Sequence, residues 1–359
     1  TATRLRHALP PQRRRWRVLL WVAAALVLAL VAVGAWVAVR FQNAVDSATH
    51  GQGGSAIDLL LPKPLRGEDT GRVNILLAGN SFDDSGHDGA ALTDSIMVAS
   101  MELATHKISV VSIPRDLWVD YGGHHMKINA VYPQAASGTA GASTLGDVQA
   151  GMTALGQVTE QVTGLHIDQY ALVGYRALQE VVDAVGGIDV DIHGTEGKGI
   201  YDPAAGVKLA EGPQHIDGLT ALRLSRARND KDVAGNEGSY GVSDSDFGRT
   251  RNQRMVLSAL LAKVKSTPSL ANPATMVAIF DSISANVRTD LGVGQVRRIY
   301  DLSTASPAFQ SLTVKGDDTH ELLRDYTDKA DGAADALAPA AGVFDYGEIR
   351  AYLASALAR

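Results

Sequence analysis

Six arginines, Arg223, Arg226, Arg228, Arg249, Arg251 and Arg254, crowd into Leu222–Arg254 of a chain whose formal net charge is -6. Guanidinium groups gathered this way suit a phosphate or pyrophosphate, whose oxygens accept paired N–H bonds from the planar fork. If the piece around Ala227 is extended, Arg226 and Arg228 point to one face and make a cationic pair. Asp244-Ser245-Asp246 reads as the cap of a following helix, on which Arg249 and Gln253 fall on one side. The plain alternative is a set of surface arginines paired with Asp230, Asp232, Glu237 and Asp244, and charge pattern alone gives that alternative the edge.

The elements that must present these side chains are legible in the spacing of apolar residues. Val73–Ala78 is a short apolar run that stops at Gly79-Asn80-Ser81, as a buried strand delivering a loop does. Ser95–Met101 and Ile108–Ile113 are two more runs of strand length, joined by Thr105-His106-Lys107 as a tight hairpin; Pro114 stops the second. Three strand ends thus converge on Ser81, Asp83, Asp84, Asp94 and Arg115. Leu145–Val162 and Tyr175–Val185 carry helical spacing, the latter ended by Gly186-Gly187, while Ile167–Val173 and Ile188–Ile192 alternate as strands. Asp217–Leu222 reads as a short helix leading into the arginines. Asp246–Lys265, Pro273–Ile283 and Val293–Leu302 read as helices, Phe309–Val314 as a late strand, and Tyr346–Leu357 as a surface helix. The order predicts an α/β fold with a mixed central β-sheet covered by helices. The apolar faces of the helices from Leu145 and Tyr175 are ordinary core on hydrophobicity alone, with the lining of a lipid groove as the alternative.

With 359 residues, 45% hydrophobic and 20% charged, the chain has the composition of a folded protein of one large or two small domains. It has no cysteine, which excludes disulfides, thiolate metal sites and cysteine nucleophiles. Residues 1–40 hold seven arginines and no acid, so the remainder carries -13 and a general nucleic-acid binder is not expected. Val18–Val39 is a run of 22 residues without a charge, long enough to cross a bilayer as a helix. Arg13, Arg14, Arg15 and Arg17 precede it, which by the positive-inside rule keeps the amino terminus cytoplasmic and everything after residue 40 outside. A cleaved signal peptide would have a shorter apolar region and a small-x-small site. The domains expected are a basic cytoplasmic tail (1–17), a single transmembrane helix (18–39), an extracytoplasmic linker (40–71), a main domain (72–320) and an Ala-rich C-terminal segment with a terminal helix (321–359). Within the linker, Ile57–Leu61 is expected to pack onto the body.

In chain order the pieces Asn74-Ile75-Leu76-Leu77, Thr93-Asp94-Ser95-Ile96-Met97, Ser112-Ile113-Pro114-Arg115-Asp116, Lys127-Ile128-Asn129-Ala130, Val185-Gly186-Gly187-Ile188-Asp189-Val190, Ser225-Arg226-Ala227-Arg228, Asp246-Phe247-Gly248-Arg249 and Thr289-Asp290-Leu291 resemble the LytR-CpsA-Psr family of envelope glycopolymer ligases. The resemblance implies a polyprenyl-pyrophosphate-linked glycan as substrate. Its lipid would lie in an apolar groove beside the sheet, its pyrophosphate among arginines near Mg²⁺, and the glycan phosphate would pass to a peptidoglycan muramic acid hydroxyl. By position, Arg115, Arg226, Arg228 and Arg249 would clasp the pyrophosphate and Asp94 would bind metal or act as base. Lys127, Asn129 and Gln253 are candidates for substrate contact; where the loop from Ser81 to Asp94 folds back, Asp83 or Asp84 would supply a carboxylate beside Asp94 and the Ser81 hydroxyl would hold a metal-bound water. Ser81 and Leu92 stand where the family usually has an aspartate and an arginine, and Asn252 where arginine is common. These changes remove a hard oxygen ligand and a charge opposite the phosphates. The second expectation is therefore a weakly active or non-catalytic protein that binds polyprenyl phosphates or envelope glycans, with a regulatory or scaffold role.

Other chemistries lack their motifs. Ten histidines include no His-Glu-x-x-His; His124 and His125 are adjacent and diverge in any regular element, leaving His87 as the one histidine in the expected site loop. No Gly-x-Ser-x-Gly elbow or Walker glycine loop occurs. Asp230–Ser245 is acidic but does not match the spacing of a calcium loop, and reads as a lid over the arginines.

Overall fold

The computed structural model describes residues 61–80, 92–136, 145–195, 197–228, 238–242, 245–267, 279, 284–306, 309–317 and 320–358. Val18–Val39, Ile57, Ser81, Asp83, Asp84, His87, most of the expected lid at 230–245 and nearly all of the expected helix at 273–283 lie outside them. No helix among the described residues is long and apolar enough to cross a membrane.

The centre is a six-stranded mixed sheet of β1 (Arg72–Asn80), β2 (Thr93–Glu102), β3 (Ile108–Ile113), β4 (Gln169–Gly174), β5 (Val287–Thr289) and β6 (Phe309–Thr313), in the order β5-β4-β1-β2-β3-β6. The β1/β4 and β3/β6 pairs are parallel and the rest antiparallel. Strand β3 keeps the bounds of its apolar run, and all six of its residues are buried because strands flank both edges and side chains cover both faces. The Thr105-His106-Lys107 turn is tight, with His106 at φ 56 and the Glu102 N–H donating to the Lys107 carbonyl.

Among the described residues the α-helices are α1 (Val131–Ala135), α2 (Leu145–Thr163), α3 (Tyr175–Ala184), α4 (Gly218–Arg226), α5 (Ser245–Ser266), α6 (Val293–Ala305) and α7 (Gly347–Leu357). Because side chains alternate along a strand, β1 serves two cores. Leu76 and Ala78 meet α2 through Met152, Leu155 and Val158. Val73 and Ile75 meet Leu302 of α6 and Leu65 on the other face. The linker therefore docks through Leu65; Leu61 is 61% exposed. The terminal helix is less superficial than expected, since Ile349, Leu353 and Leu357 enter the same core as α2.

A third core joins α3, α4 and α5 to the hairpin of Ile188–Ile192 and Gly212–Ile216. The alternating sequence of its first strand gives alternating burial, with Ile188, Val190 and Ile192 inside. Helix α3 ends at Gly186 and Gly187, both left-handed at φ 83 and 82, a conformation in which glycine avoids the Cβ penalty. Asp217 caps α4 by accepting the Thr220 N–H at 2.8 Å. At Gly218 a Cβ would stand 2.1 Å from the Gln179 carbonyl oxygen, so α4 approaches α3 at a distance only glycine allows.

Candidate functional site

The parallel strands β1 and β4 end side by side, pairing Asn80 with Gly174, and α3 starts at once with Tyr175. Strand β2 starts beside them and carries Asp94 and Ser95. Over this end of the sheet lies a cavity of about 430 Å³, walled by the sheet, α3, α4 and α5.

Arginines reach the cavity from two places. Arg226 is the last residue of α4, so the extended pair expected around Ala227 is replaced by a helix end: the Asp217 cap propagates the helix further than the short apolar signal suggested. Ala227 then turns extended, and the Arg228 N–H donates to Asp202 Oδ2 at 2.8 Å. Arg226 and Arg228 both line the cavity. Arg249 joins them from α5, followed one turn on by Gln253, whose Nε2 donates to the Ser225 carbonyl at 3.3 Å. The same face of α5 continues with Val256, Leu257 and Leu260. The helix therefore passes from cationic to apolar over 11 residues, about 16 Å, and Leu77, Met97, Val173, Leu178 and Leu222 extend the apolar part. Of the helices from Leu145 and Tyr175, the second contributes to this wall, and the apolar residues of the first belong to the main core.

Three of the six clustered arginines thus converge. Arg254 is directed elsewhere, with Nη1 donating to the Leu312 carbonyl at 3.4 Å. The acids Asp230, Asp232, Glu237 and Asp244 lie outside the described residues. Arg115 stands beside the cavity rather than in its wall and reaches it through Asp94, donating from Nη1 to Oδ1 at 2.6 Å. Its Nε is 3.4 Å from Asp116, which in turn holds Lys127 Nζ at 2.9 Å. Lys127 is therefore joined to Asp94 only through a chain of three ion pairs, by way of Asp116 and Arg115. Asn129 is a brace: its N–H donates to the Arg115 carbonyl and its carbonyl accepts from Thr93 Oγ1, both at 3.2 Å. Asn252 is fully buried and does not line the cavity, whereas Leu92 precedes β2 in a half-buried position.

Two participants escaped the sequence reading. Tyr175 lies under Arg226, whose guanidinium carbon is 5.1 Å from the ring centroid. Burial first, and then the Asp94 carboxylate, push its phenol above the usual range, while Arg226, Arg249 and Arg228 pull the other way. All four charges therefore act on one hydroxyl. Its position just past a strand that runs parallel to β1 was the available signal, because ligands of α/β sheets gather beyond carboxyl ends of strands. Asp202 had none; it is 2% exposed and spends its oxygens on the Ala205 and Arg228 N–H groups.

Among the described residues no group of three or more His, Cys, Asp or Glu could hold a metal. Among the described residues, Asp94 is the one carboxylate of the cavity wall whose oxygens are not both taken by backbone N–H groups: Oδ1 accepts from Arg115, which leaves Oδ2. One carboxylate fits Mg²⁺ only in the manner of sites completed by water and substrate phosphates.

Residues 37–335 match the LytR_cpsA_psr family model. The chain belongs to the LytR_cpsA_psr family. Members similar to it include the probable cell wall biosynthesis protein LcpB of Corynebacterium glutamicum, 34% identical over 189 residues, covering 52% of this chain and 38% of LcpB. The polyisoprenyl-teichoic acid–peptidoglycan teichoic acid transferase TagV of Bacillus subtilis is 27% identical over 236 residues, covering 64% of this chain and 53% of TagV. The match thus spans about two-fifths of one relative and half of the other. Solved family folds superpose well: B. subtilis TagV with TM-score 0.56 at 22% identity over 80% of this chain and 97% of that one, and TagT bound to LI-WTA with TM-score 0.56 at 19% identity over 81% and 92%.

Proposed function

We propose that the protein is a phosphotransferase of the cell envelope that moves a glycan phosphate from a polyprenyl-pyrophosphate carrier to peptidoglycan. The observation that carries this reading is the single cavity wall that changes from arginine to leucine along α5. An amphiphile with a doubly charged head and an isoprenoid tail is complementary to both ends. A neutral lipid would match only the apolar end of this wall, and a soluble phosphate only its cationic end. The name of TagV, a teichoic acid transferase to peptidoglycan, supports the same class of reaction.

In the proposed step the acceptor hydroxyl attacks the glycan-side phosphorus. A new P–O bond forms as the bond from that phosphorus to the bridging oxygen breaks, and the bridging oxygen leaves with polyprenyl phosphate. Asp94 Oδ2, with Arg115 holding the carboxylate through Oδ1, either takes the hydroxyl proton or holds Mg²⁺, one oxygen serving one of the two roles. The three cavity arginines stabilise charge on the phosphoryl oxygens and on the departing phosphate, and the neutral Tyr175 phenol is a further donor. Mg²⁺ would be held by Asp94 and the substrate phosphates, and would supply Lewis-acid neutralisation of the pyrophosphate. The apolar, arginine-preceded segment Val18–Val39 would anchor the domain on the outer side of the cell membrane.

That Asp94 stands as the lone uncommitted carboxylate of the described wall favours one second reading, a protein that binds the same amphiphile without turning it over. Incubation with a polyprenyl-pyrophosphate-linked saccharide, peptidoglycan and Mg²⁺ separates the two. Release of polyprenyl phosphate is expected; tight binding without release establishes the second reading, and neither binding nor release refutes both.

A further inference from the structure

A second run of cations lies on the face of α5 turned away from the cavity. Phe247, Arg251 and Arg254, four and three residues apart, form one stripe of this helix, and Arg251 stands two residues, about 200° of helical turn, from the cavity arginine Arg249. None of the three lines the cavity. The stripe meets the end of edge strand β6: Arg254 Nη1 donates to the Leu312 carbonyl at 3.4 Å, and Lys315 Nζ stands 4.1 Å from the Phe247 ring centroid. Strand β6 runs parallel to β3, with Thr313 opposite Ser112 and the Val314 N–H donating to the Ser112 carbonyl at 3.1 Å. The segments that carry Arg115 and Lys315 therefore leave the sheet side by side.

The charge of this stripe is not balanced. Among the described residues, Arg251, Arg254 and Lys315 have no carboxylate within ion-pair distance, in a chain of net charge -6. All three are half-buried, so each keeps part of its surface open to solvent. A solvated face is the ordinary explanation of a charge run, but it does not account for Arg254. Its Nε is sealed from solvent without a hydrogen-bond partner, and burial first, then the neighbouring Arg251 guanidinium, pull it below the usual arginine range. Like charges three residues apart on a helix repel, and partial burial strengthens that cost where no acid offsets it.

An anion supplies what the stripe lacks. A lone phosphate would meet one or two of these groups, whereas Phe247 with its lysine, Arg251 and Arg254 extend along seven residues of α5, about 10 Å. That length suits a chain with repeated anions, and arginine forks suit phosphodiester or carboxylate oxygens. The stripe also begins within one turn of Arg249, where the cavity is cationic. A glycan joined to a phosphate held there has the stripe as its next contact.

We propose that this face of α5, together with Lys315, is a docking track for an anionic glycan chain attached to the cavity-bound pyrophosphate, and that Arg251, Arg254 and Lys315 select glycopolymers with charged repeats over neutral ones. The proposal rests on the transferase reading for what the glycan is joined to; the affinity of the track for a polyanion does not.

Calorimetric titration of the full chain with lipid-free poly(glycerol phosphate), and with dextran of similar length, tests it. Saturable binding of the first alone is expected, weakened by added salt and at least about tenfold by the double variant Arg251→Glu, Lys315→Glu. Release of polyprenyl phosphate from a lipid-linked uncharged disaccharide should be unchanged in that variant, since neither residue lines the cavity. Should the double variant fail to fold, Arg251→Ala and Lys315→Ala carry the same comparison. If the parent binds the polymer through these two residues yet releases no polyprenyl phosphate, the transferase reading fails and the track stands. Absence of saturable polymer binding, equal binding of dextran, or binding indifferent to the charge reversals overturns the proposal. So does capture of phosphatidylglycerol vesicles in place of the polymer, or a double variant that loses release from the uncharged disaccharide in equal measure.

Discussion

Replacing Arg226 by alanine should separate recognition of a pyrophosphate from stability of the fold. The side chain is exposed at the end of α4, lines the cavity, and its main packing is over Tyr175 at 5.1 Å. An exposed cation–π contact contributes about 0.5–1 kcal/mol, so the denaturant midpoint should move little. A charge-assisted hydrogen bond to phosphate contributes roughly 1.5–3 kcal/mol, which converts to a fall of roughly 10- to 150-fold in kcat/KM. Polyprenyl phosphate release from a defined lipid-linked saccharide measures the first quantity and urea unfolding the second. Arg226→Lys, which keeps the charge and loses the fork, should fall between parent and alanine. Parental kcat/KM in Arg226→Ala would refute the reasoning, as would a loss of activity that merely follows unfolding.

Leu260→Asp puts a charge in the apolar part of the cavity and should weaken long-chain prenyl substrates far more than short ones, because each buried CH₂ contributes about 0.8 kcal/mol; a chain-length series of prenyl pyrophosphates checks this. Gly218→Ala places a Cβ 2.1 Å from the Gln179 carbonyl oxygen. It should cost about 1–3 kcal/mol of stability by overpacking, seen in the urea midpoint, and lower activity by shifting α4 against Tyr175. Tyr132 and Tyr346 are both pushed up to about 12 by burial, against roughly 10 in an unfolded chain. The native state thus keeps protons that the unfolded state has released, and stability is full below about pH 10 and falls as pH rises towards 12. Tyrosinate absorbance followed alongside circular dichroism should show these two phenols titrating with, rather than before, unfolding.

The sheet was legible because its strands are unusually plain. Ile108–Ile113 is a continuous apolar run between a turn and Pro114, and the strand keeps those bounds. Gly186-Gly187 likewise marked the end of α3, since both residues need positive φ. The cavity was legible only in part. Arg226, Arg228, Arg249 and Gln253 could be gathered from local spacing, yet the helix that turns Arg226 into a C-terminal residue depends on the Asp217 cap and on close docking against Gln179. Which apolar face lines a groove and which fills a core is not a local property. The helices from Leu145 and Tyr175 look alike in sequence, and the packing of α2 against Leu76 and Ala78 decides between them. Lys127 and Asn129 matched a family motif but act at a remove, through Asp116 and through the backbone of Arg115.

The most direct measurement is a structure of the protein soaked with a polyprenyl pyrophosphate. The two phosphates should lie among Arg226, Arg228 and Arg249 within reach of Asp94, and the isoprenoid should run past Leu257 and Leu260. A head group bound on another surface, or a tail that leaves α5 untouched, would contradict the account.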